Sequence, residues 1–383
     1  MEYGWIAPES VPWLKENEPV LLFGAGQGTV ELLAYLEEQQ QHPDLIGIVD
    51  NDCSMWGKSL HGLPIVPPSS IPESEWSKII ITTVSGRDQV AAQLQAMGYA
   101  EFTHYHRIGT YPAASVMNLL ILNDMQRAFN FMKEGDSVLH VGPGGFLSLE
   151  VALHCLGFRP LSMDAYSFSM HYPETTHRLQ QYLSVLDYVL RMPQAAALGE
   201  ETIRRRFDEV LHIRQDGRAF LDTERLPYMM PARYSAIPLP DNSLDTICSF
   251  AVLEHVRDPL QAIRETWRVL KPGGFAAHRT TTRDHRSYSA VLGYHPFSYL
   301  NESPASWESI NENKFYQNRV LPDQWKELFT RNGFALLHYR ELHTYDLSAD
   351  EVAALHADFK NPDGTLPANF SNAVDCELLA RKL

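Results

Sequence analysis

The chain has 383 residues, 44% hydrophobic and 21% charged, with 22 glycines and 24 prolines; these globular values exclude a disordered, collagenous or low-complexity protein. At roughly 150 residues per domain the length suits two or three domains, each able to bury a core. The net charge of −15 divides into 5 basic against 14 acidic residues up to Pro112 and 27 against 33 beyond, and so acidic a surface argues against nucleic acid or a membrane as partner.

The four cysteines, Cys53, Cys155, Cys248 and Cys376, are far apart and lack CxxC spacing, so they read as reduced and mostly buried thiols. The opening MEYGWIAPES has neither a basic n-region nor an apolar h-region. No window reaches the ~18 continuous apolar residues that span a bilayer. A soluble, cytoplasmic protein is expected.

Val20 to Phe23 is an apolar run ending in Gly24-Ala25-Gly26-Gln27-Gly28. A helical pattern follows, with Val30, Leu33, Ala34 and Leu36. Leu45 to Val49 ends at Asp50-Asn51-Asp52. Ile79 to Val84 reads as a strand, followed after Ser85-Gly86 by a helix carrying Val90, Leu94 and Met97. Strand–turn–helix alternation of this kind builds a parallel sheet wrapped by helices. The pattern breaks at Gly109 to Pro112, which sets a boundary between domains 1–110 and 111–383, and a bridging helix is expected from about Ala113 to Met132.

The same grammar restarts at Ser137. Val138 to Val141 is a strand, Gly142-Pro143-Gly144-Gly145 a turn, and the helix from Ser148 carries Leu149, Ala152, Leu153 and Leu156. Arg159 to Met163 is the next strand and ends at Asp164. An insert of about 166–230 follows, with one helical stripe of Leu179, Tyr182, Leu183, Leu186, Val189 and Leu190 and a second of Ile203, Phe207, Val210 and Leu211. It reads as a helical cover over the site or as a surface or dimerisation element.

The stretch from Ala232 to His285 carries the chemistry. Ile237-Pro238-Leu239-Pro240-Asp241-Asn242-Ser243-Leu244-Asp245 leads into strand Thr246 to Phe250, then Leu253-Glu254-His255-Val256, Asp258-Pro259, a helix, and Val269-Leu270-Lys271-Pro272-Gly273-Gly274-Phe275. Set behind the glycine turn, these ordered blocks resemble the class I S-adenosylmethionine-dependent methyltransferases, in the branch with "LPFPDNSFD…LEHV.DP…VLKPGG". The likeness covers Val138 to Phe334 apart from the insert.

The resemblance implies an α/β protein of two tandem Rossmann-like doubly wound sheets, the second the seven-stranded sheet of that class with an antiparallel hairpin at its end. It implies S-adenosyl-L-methionine as cofactor and methyl transfer to a small-molecule acceptor. Gly142, Pro143, Gly144 and Gly145 would let backbone approach the cofactor, with helix N–H groups aimed at its carboxylate. Asp164, followed by Ala165, would accept the ribose hydroxyls. Arg233 and Tyr234 would contact adenine, and Ser249, Phe250 and Ala251 would line sulfonium and adenine. Two positions depart from the family pattern: His140 and Arg233 stand where acidic residues are usual, and His140 is expected to bond the cofactor's amino group.

A hydroxyl acceptor needs a base at the carboxyl ends of the strands. Asp284 orienting His285 is the first candidate and His255 the second. In ubiquinone-type O-methyltransferases a similar "E..LEH" run binds magnesium, but Ala251 replaces the first glutamate here, so no metal is expected. Tyr288, Tyr294, His295, Phe297, Tyr299 and Trp307 read either as an acceptor wall or as ordinary packing. The acceptor implied is a hydroxyl of a sugar, nucleotide-sugar or related metabolite. An N-methyltransferase, a silent scaffold and a homodimer stay open.

Residues 18 to 107 resemble the small front domain of polysaccharide-biosynthesis nucleotide-sugar enzymes and sugar acyltransferases, through Gly24 to Gly28, Gly47 to Ile65 and Ile81 to Gly98. Thr29 displaces the third glycine of GxGxxG, so no nicotinamide site is expected. The redox alternative would use Asp50 to grip a ribose.

Overall fold

The computed structural model describes residues 14, 19–38, 40–71, 78–83, 86–100, 103–107, 121–122, 124–144, 147–165, 176–213, 219–288, 293–311 and 316–383. The chain divides into two compact units, Met1–Met117 with Asp284–His295, and Asn118–Arg283 with Pro296–Leu383. The boundary expected at Gly109 to Pro112 lies outside the described residues; of the bridging helix, residues 121–122 and 124–129 are described and helical. No helix of the described residues is long and apolar enough to cross a membrane.

In the first unit β1 (Val20–Phe23) has two faces, because side chains alternate along a strand. Val20 and Leu22 pack with Leu32 and Leu36 of α1 (Gln27–Glu38), while Leu21 and Phe23 pack with Val90 and Leu94 of α2 (Arg87–Ala96). The strands β2 (Leu45–Val49), β3 (Ser59–Leu60), β4 (Leu63–Val66), β5 (Lys78–Ile81) and β6 (Tyr105–Arg107) complete a sheet ordered β3-β4-β2-β1-β5-β6. All neighbours are parallel except β3 on β4. The strand expected to reach Val84 ends at Ile81, since the N–H groups of Thr82 and Thr83 both turn to the carbonyl of Phe23; Val84 itself is not among the described residues. Cys53, expected to be buried, is exposed.

The second unit is built on β7 (Ser137–Val141), β8 (Arg159–Met163), β11 (Tyr228–Met229), β12 (Leu244–Phe250), β13 (Leu270–Thr281), β14 (Phe334–Thr344) and β15 (Ala373–Lys382). Their order is β11-β8-β7-β12-β13-β15-β14, parallel from β11 to β13 and antiparallel where β15 enters between β13 and β14. That is the seven-stranded sheet with a terminal antiparallel hairpin. Asp245 ties the amino ends together. It accepts from the N–H and hydroxyl of Ser137 and from Lys271, at 2.9, 2.7 and 2.7 Å.

The insert behaves as core. Tyr182, Val185, Leu186 and Val189 of α4 (Thr176–Leu190) and Ile203, Phe207 and Val210 of α6 (Glu200–Val210) join Leu149 and Leu153 of α3 (Ser148–Cys155) in one cluster, α5 (Pro193–Leu198) lying between them in sequence. Leu183, placed on the stripe by periodicity, is instead largely exposed. A hairpin of β9 (Leu211–Ile213) and β10 (Ala219–Leu221) follows, in a segment read from sequence as helical cover. A detachable cover would lose little on truncation, whereas a core ring loses transfer energy and leaves a cavity. Phe207→Ala is therefore expected to lower unfolding free energy by about 3–5 kcal/mol, measured by chemical denaturation.

Candidate functional site

β7 and β12 are neighbours whose onward connections run in opposite directions, from β7 through α3 to β8 and from β12 through α7 (Pro259–Val269) to β13. A crevice opens outside the carboxyl ends of two such strands. Gly142, just beyond β7, has φ +71°, and its N–H donates to Met163 O at 2.8 Å. A Cβ there would stand 2.4 Å from Cγ2 of Val252, so only glycine fits. Gly144 also has positive φ (+66°), and a Cβ on it would meet nothing within 4 Å. Pro143 is buried between them, and Gly145 lies outside the described residues. Asp164 ends β8 and is 7% exposed; its N–H donates to Met229 O and its carbonyl accepts from Ala232 N–H. Ala165 beside it is exposed.

The residues expected around the cofactor fall into two groups. His140 turns into the core side of the sheet: its Nδ1 lies 2.8 Å from Glu150 Oε1, which also accepts from Ser162 Oγ, and Phe250 packs edge-on to its ring. Nε2 is buried without a partner among the described residues. Tyr234 departs from expectation. Its ring is buried beside Ile237 and Ile263, and its hydroxyl meets Thr266 Oγ1 at 3.1 Å and His278 Nε2 at 3.4 Å, so it is a core residue and not an adenine contact. Burial pushes its hydroxyl pKa up.

Arg233 is exposed and pairs backbone with Ala236. Ser249 is fully buried, its hydroxyl 2.8 Å from Nδ1 of His278, whose pKa burial lowers to about 3. Ala251 follows at φ +54°, where alanine is uncommon, with its N–H donating to Arg279 O.

Beyond Ala251 the turn Leu253–His255 is pinned by Asn318. Asn318 N–H donates to Glu254 O at 2.7 Å, and Nδ2 donates to Leu253 O and Val256 O. His255 Nδ1 is 2.6 Å from Tyr316 O. A carbonyl can only accept, so Nδ1 carries the proton and Nε2 the basic lone pair. Burial lowers the pKa of His255, keeping it neutral at pH 7. Glu254 is 1% exposed: Oε2 accepts from Thr280 Oγ1 at 2.7 Å, and Oε1 is buried without a partner among the described residues. Burial pushes its pKa up to about 8. What singles Glu254 out is burial, which spacing does not report.

The pair Asp284–His285 looks different from its expectation. Asp284 is fully buried, and both of its oxygens are engaged by Arg286, with Nη2 at 2.9 Å from Oδ2 and the Arg286 N–H at 2.9 Å from Oδ1. Asp284 thus holds arginine, and His285 opens the short turn His285–Tyr288. Phe297, Tyr299 and Trp307 pack into a core with Leu321 and Val374, which favours the packing reading for those rings. In the first unit Asp50 bonds its own glycine loop, Oδ2 accepting from Ala25 N–H and Oδ1 from Asp52 N–H, both at 2.7 Å.

Residues 211–278 match the family described as a methyltransferase domain, and residues 16–103 match the family described as C2185-like, N-terminal. The ubiquinone/menaquinone biosynthesis C-methyltransferase of Pseudoalteromonas translucida is 31% identical over 134 residues, 33% of this chain and 50% of that protein. The ubiquinone biosynthesis O-methyltransferase of Ruegeria pomeroyi is 31% identical over 91 residues, 23% of this chain and 33% of that protein. Among solved structures, an S-adenosylmethionine-dependent methyltransferase from Methanosarcina mazei is 18% identical with a TM-score of 0.35, covering 67% of this chain and 97% of its own. The chain spans about half the length of the first curated relatives it matches. The matched segment and these relatives support S-adenosylmethionine as the cofactor.

The buried Glu254 has a consequence for stability. Its carboxyl holds a proton up to about pH 8 when folded and loses it near the ordinary 4.5 when unfolded. Folding therefore binds a proton between those values, and stability falls as pH rises through them, by up to about 1.4 kcal/mol per pH unit, levelling off above 8. Glu254→Gln is expected to abolish that slope and to be the more stable protein at pH 8, in urea titrations at several pH values.

Proposed function

We propose that the chain transfers the methyl group of S-adenosylmethionine to a hydroxyl of a small molecule, with sugars and nucleotide-sugars as the acceptor class. One observation carries the reading: the side-chain-free turn at Gly142, the carboxylate at the end of β8 and the pinned turn bearing His255 all follow carboxyl ends of one seven-stranded sheet. The front unit's resemblance to nucleotide-sugar enzymes supports the sugar class, and the acidic surface supports a diffusible acceptor over nucleic acid. A cytoplasmic setting belongs to the same reading. C-methylation is the second reading, favoured by the name of the Pseudoalteromonas relative.

The cradle fits the cofactor. Gly142 and Gly144 offer backbone with no Cβ in the way, and Asp164 offers a carboxylate to the ribose hydroxyls. S-adenosylmethionine supplies a methyl group on a sulfonium, already an excellent leaving group. The chain's own work is to hold both partners in line and to take the acceptor's proton. His255 suits the second task, neutral and with Nε2 as its basic nitrogen. Asp284 keeps its carboxylate on Arg286, which ranks His285 below His255 as base.

The deciding experiment incubates the protein with methyl-labelled S-adenosylmethionine and a panel of sugars, nucleotide-sugars, phenols and amines. Label on an oxygen supports the reading, label on nitrogen or carbon replaces it, and cofactor binding with no transfer to any member points to a silent binding protein. Asp164→Ala removes two charge-assisted hydrogen bonds of about 1.5–3 kcal/mol each. Cofactor affinity by calorimetry should fall at least ~100-fold, and an unchanged value would take Asp164 out of the site. His255→Ala should cut turnover by about 10²–10⁴-fold while cofactor affinity stays within about twofold.

A further inference from the structure

We propose that Glu254 is a second contact for the acceptor, its Oε1 carrying a proton and donating it to an oxygen that neighbours the one being methylated. The proposal rests on the methyltransferase reading and names a substrate class within it: acceptors with two adjacent oxygens, such as a vicinal diol.

The placement comes first. Glu254 lies in the turn that follows β12, two residues beyond Val252, which fills the space facing Gly142. It adjoins His255, and the ligand atoms of the two side chains lie within 4.8 Å of one another. A base and a donor that close can address two oxygens on neighbouring carbons. The backbone of the turn is fixed through three hydrogen bonds from Asn318, and Glu254 is 1% exposed.

The second argument is the missing partner. A buried polar atom left unpaired costs about 1–3 kcal/mol, and native structures keep few of them without a reason. Oε2 of Glu254 is satisfied by Thr280, yet Oε1 has no partner among the described residues. Thr282, two residues along from Thr280, adds another buried hydroxyl without one. A ligand group that accepts from Oε1 would recover that cost.

The proton follows from the surroundings. The charge acting on Glu254 from β15 is the anion of Asp375, Cys376 of that strand is buried and uncharged, and on its own turn His255 is neutral. Burial, the largest influence, and Asp375 favour the protonated acid and outweigh the opposing hydrogen bonds from Thr280 and from the backbone at Glu254 and Thr281; a hydrogen-bond donor requires that acid. A site built around such a donor rejects an analogue that lacks the matching oxygen.

The test has two arms. Infrared difference spectra of wild type against Glu254→Gln, with carbon-13 glutamate labelling, should show a protonated carboxyl at pH 7 that disappears above about pH 8. Its absence at pH 7 would overturn the proposal without any acceptor. The second arm measures transfer to the acceptor returned by the panel and to its deoxy analogue lacking the neighbouring hydroxyl, with S-adenosylhomocysteine binding as the control. Wild type and Glu254→Gln should prefer the diol by about 10- to 100-fold, and Glu254→Met should lose that preference while binding S-adenosylhomocysteine normally. Equal rates on both acceptors in wild type, or an unchanged preference in Glu254→Met, would sink the idea. If Glu254→Met does not fold, the wild-type comparison and the spectra decide. A protonated carboxyl with no transfer to any acceptor would count against the methyltransferase reading, and so against the acceptor contact that rests on it.

Discussion

The carboxyl edge of the second sheet depends on a side chain that is not there. Val252 occupies the space a Cβ of Gly142 would need, so any other residue at 142 would force Val252 to shift as well as strain a backbone of φ +71°. The strands β7 and β12 are hydrogen-bonded neighbours from Thr246 on Val138 to Ser249 on Val141, so they have no freedom to part. Ala251 takes up the consequence. Its left-handed conformation, costing about 1–2 kcal/mol for a residue with a Cβ, reverses the chain at the strand end so that Val252 meets the glycine and Leu253–His255 meets Asn318. Strain at 251 and close approach at 142 are two halves of one arrangement.

Charge is handled differently at the two ends of that sheet. At the amino end Asp245 bridges Ser137 and Lys271, and Arg268 meets Glu265 and Asp241, ordinary paired ions near water. Toward the carboxyl end three groups on β13 and the turn after β12 are buried and uncharged at pH 7: His278 through a pKa near 3, His255 through a lowered one, Glu254 through one near 8; Arg279 of β13 keeps its charge against Asp124 at 2.9 Å. A reaction that removes a positive charge is slowed by anions that stabilise the charged ground state more than the transition state. In a chain of net charge −15, Glu254 is an acid at that edge whose burial keeps it uncharged.

How much of this was legible in the sequence follows from which forces write regular patterns. The strands and the glycine turns were readable because alternation, apolar runs and backbone freedom leave period and composition behind. The strand β11 was not, since two residues at the end of an insert carry no period. Side-chain partnerships were the least legible. That Glu150 of α3 would take His140, that Arg286 would take Asp284, and that Tyr234 would sink between Thr266 and His278 are choices made by three-dimensional neighbours distant in sequence or turned by local geometry. In the insert, hydrophobic spacing located the helices correctly and could not say whether their apolar faces cover a site or complete a core.

The two units also show why a shared grammar does not fix chemistry. In each, the second strand of the alternation ends in an aspartate beside a glycine-rich turn. Asp50 spends both oxygens on main-chain N–H groups, one of them Ala25 of that very turn, so a ribose would have to share or displace those bonds. Thr29 stands where the pattern wants glycine, and its buried hydroxyl bonds Gly24 O and the hydroxyl of Thr82, stitching the turn to β1 and β5 from below. Asp164 makes main-chain hydrogen bonds with Met229 and Ala232. One turn is closed by its own aspartate, and in the other a valine packs against the glycine. That difference lies in three-dimensional neighbours rather than in residue spacing.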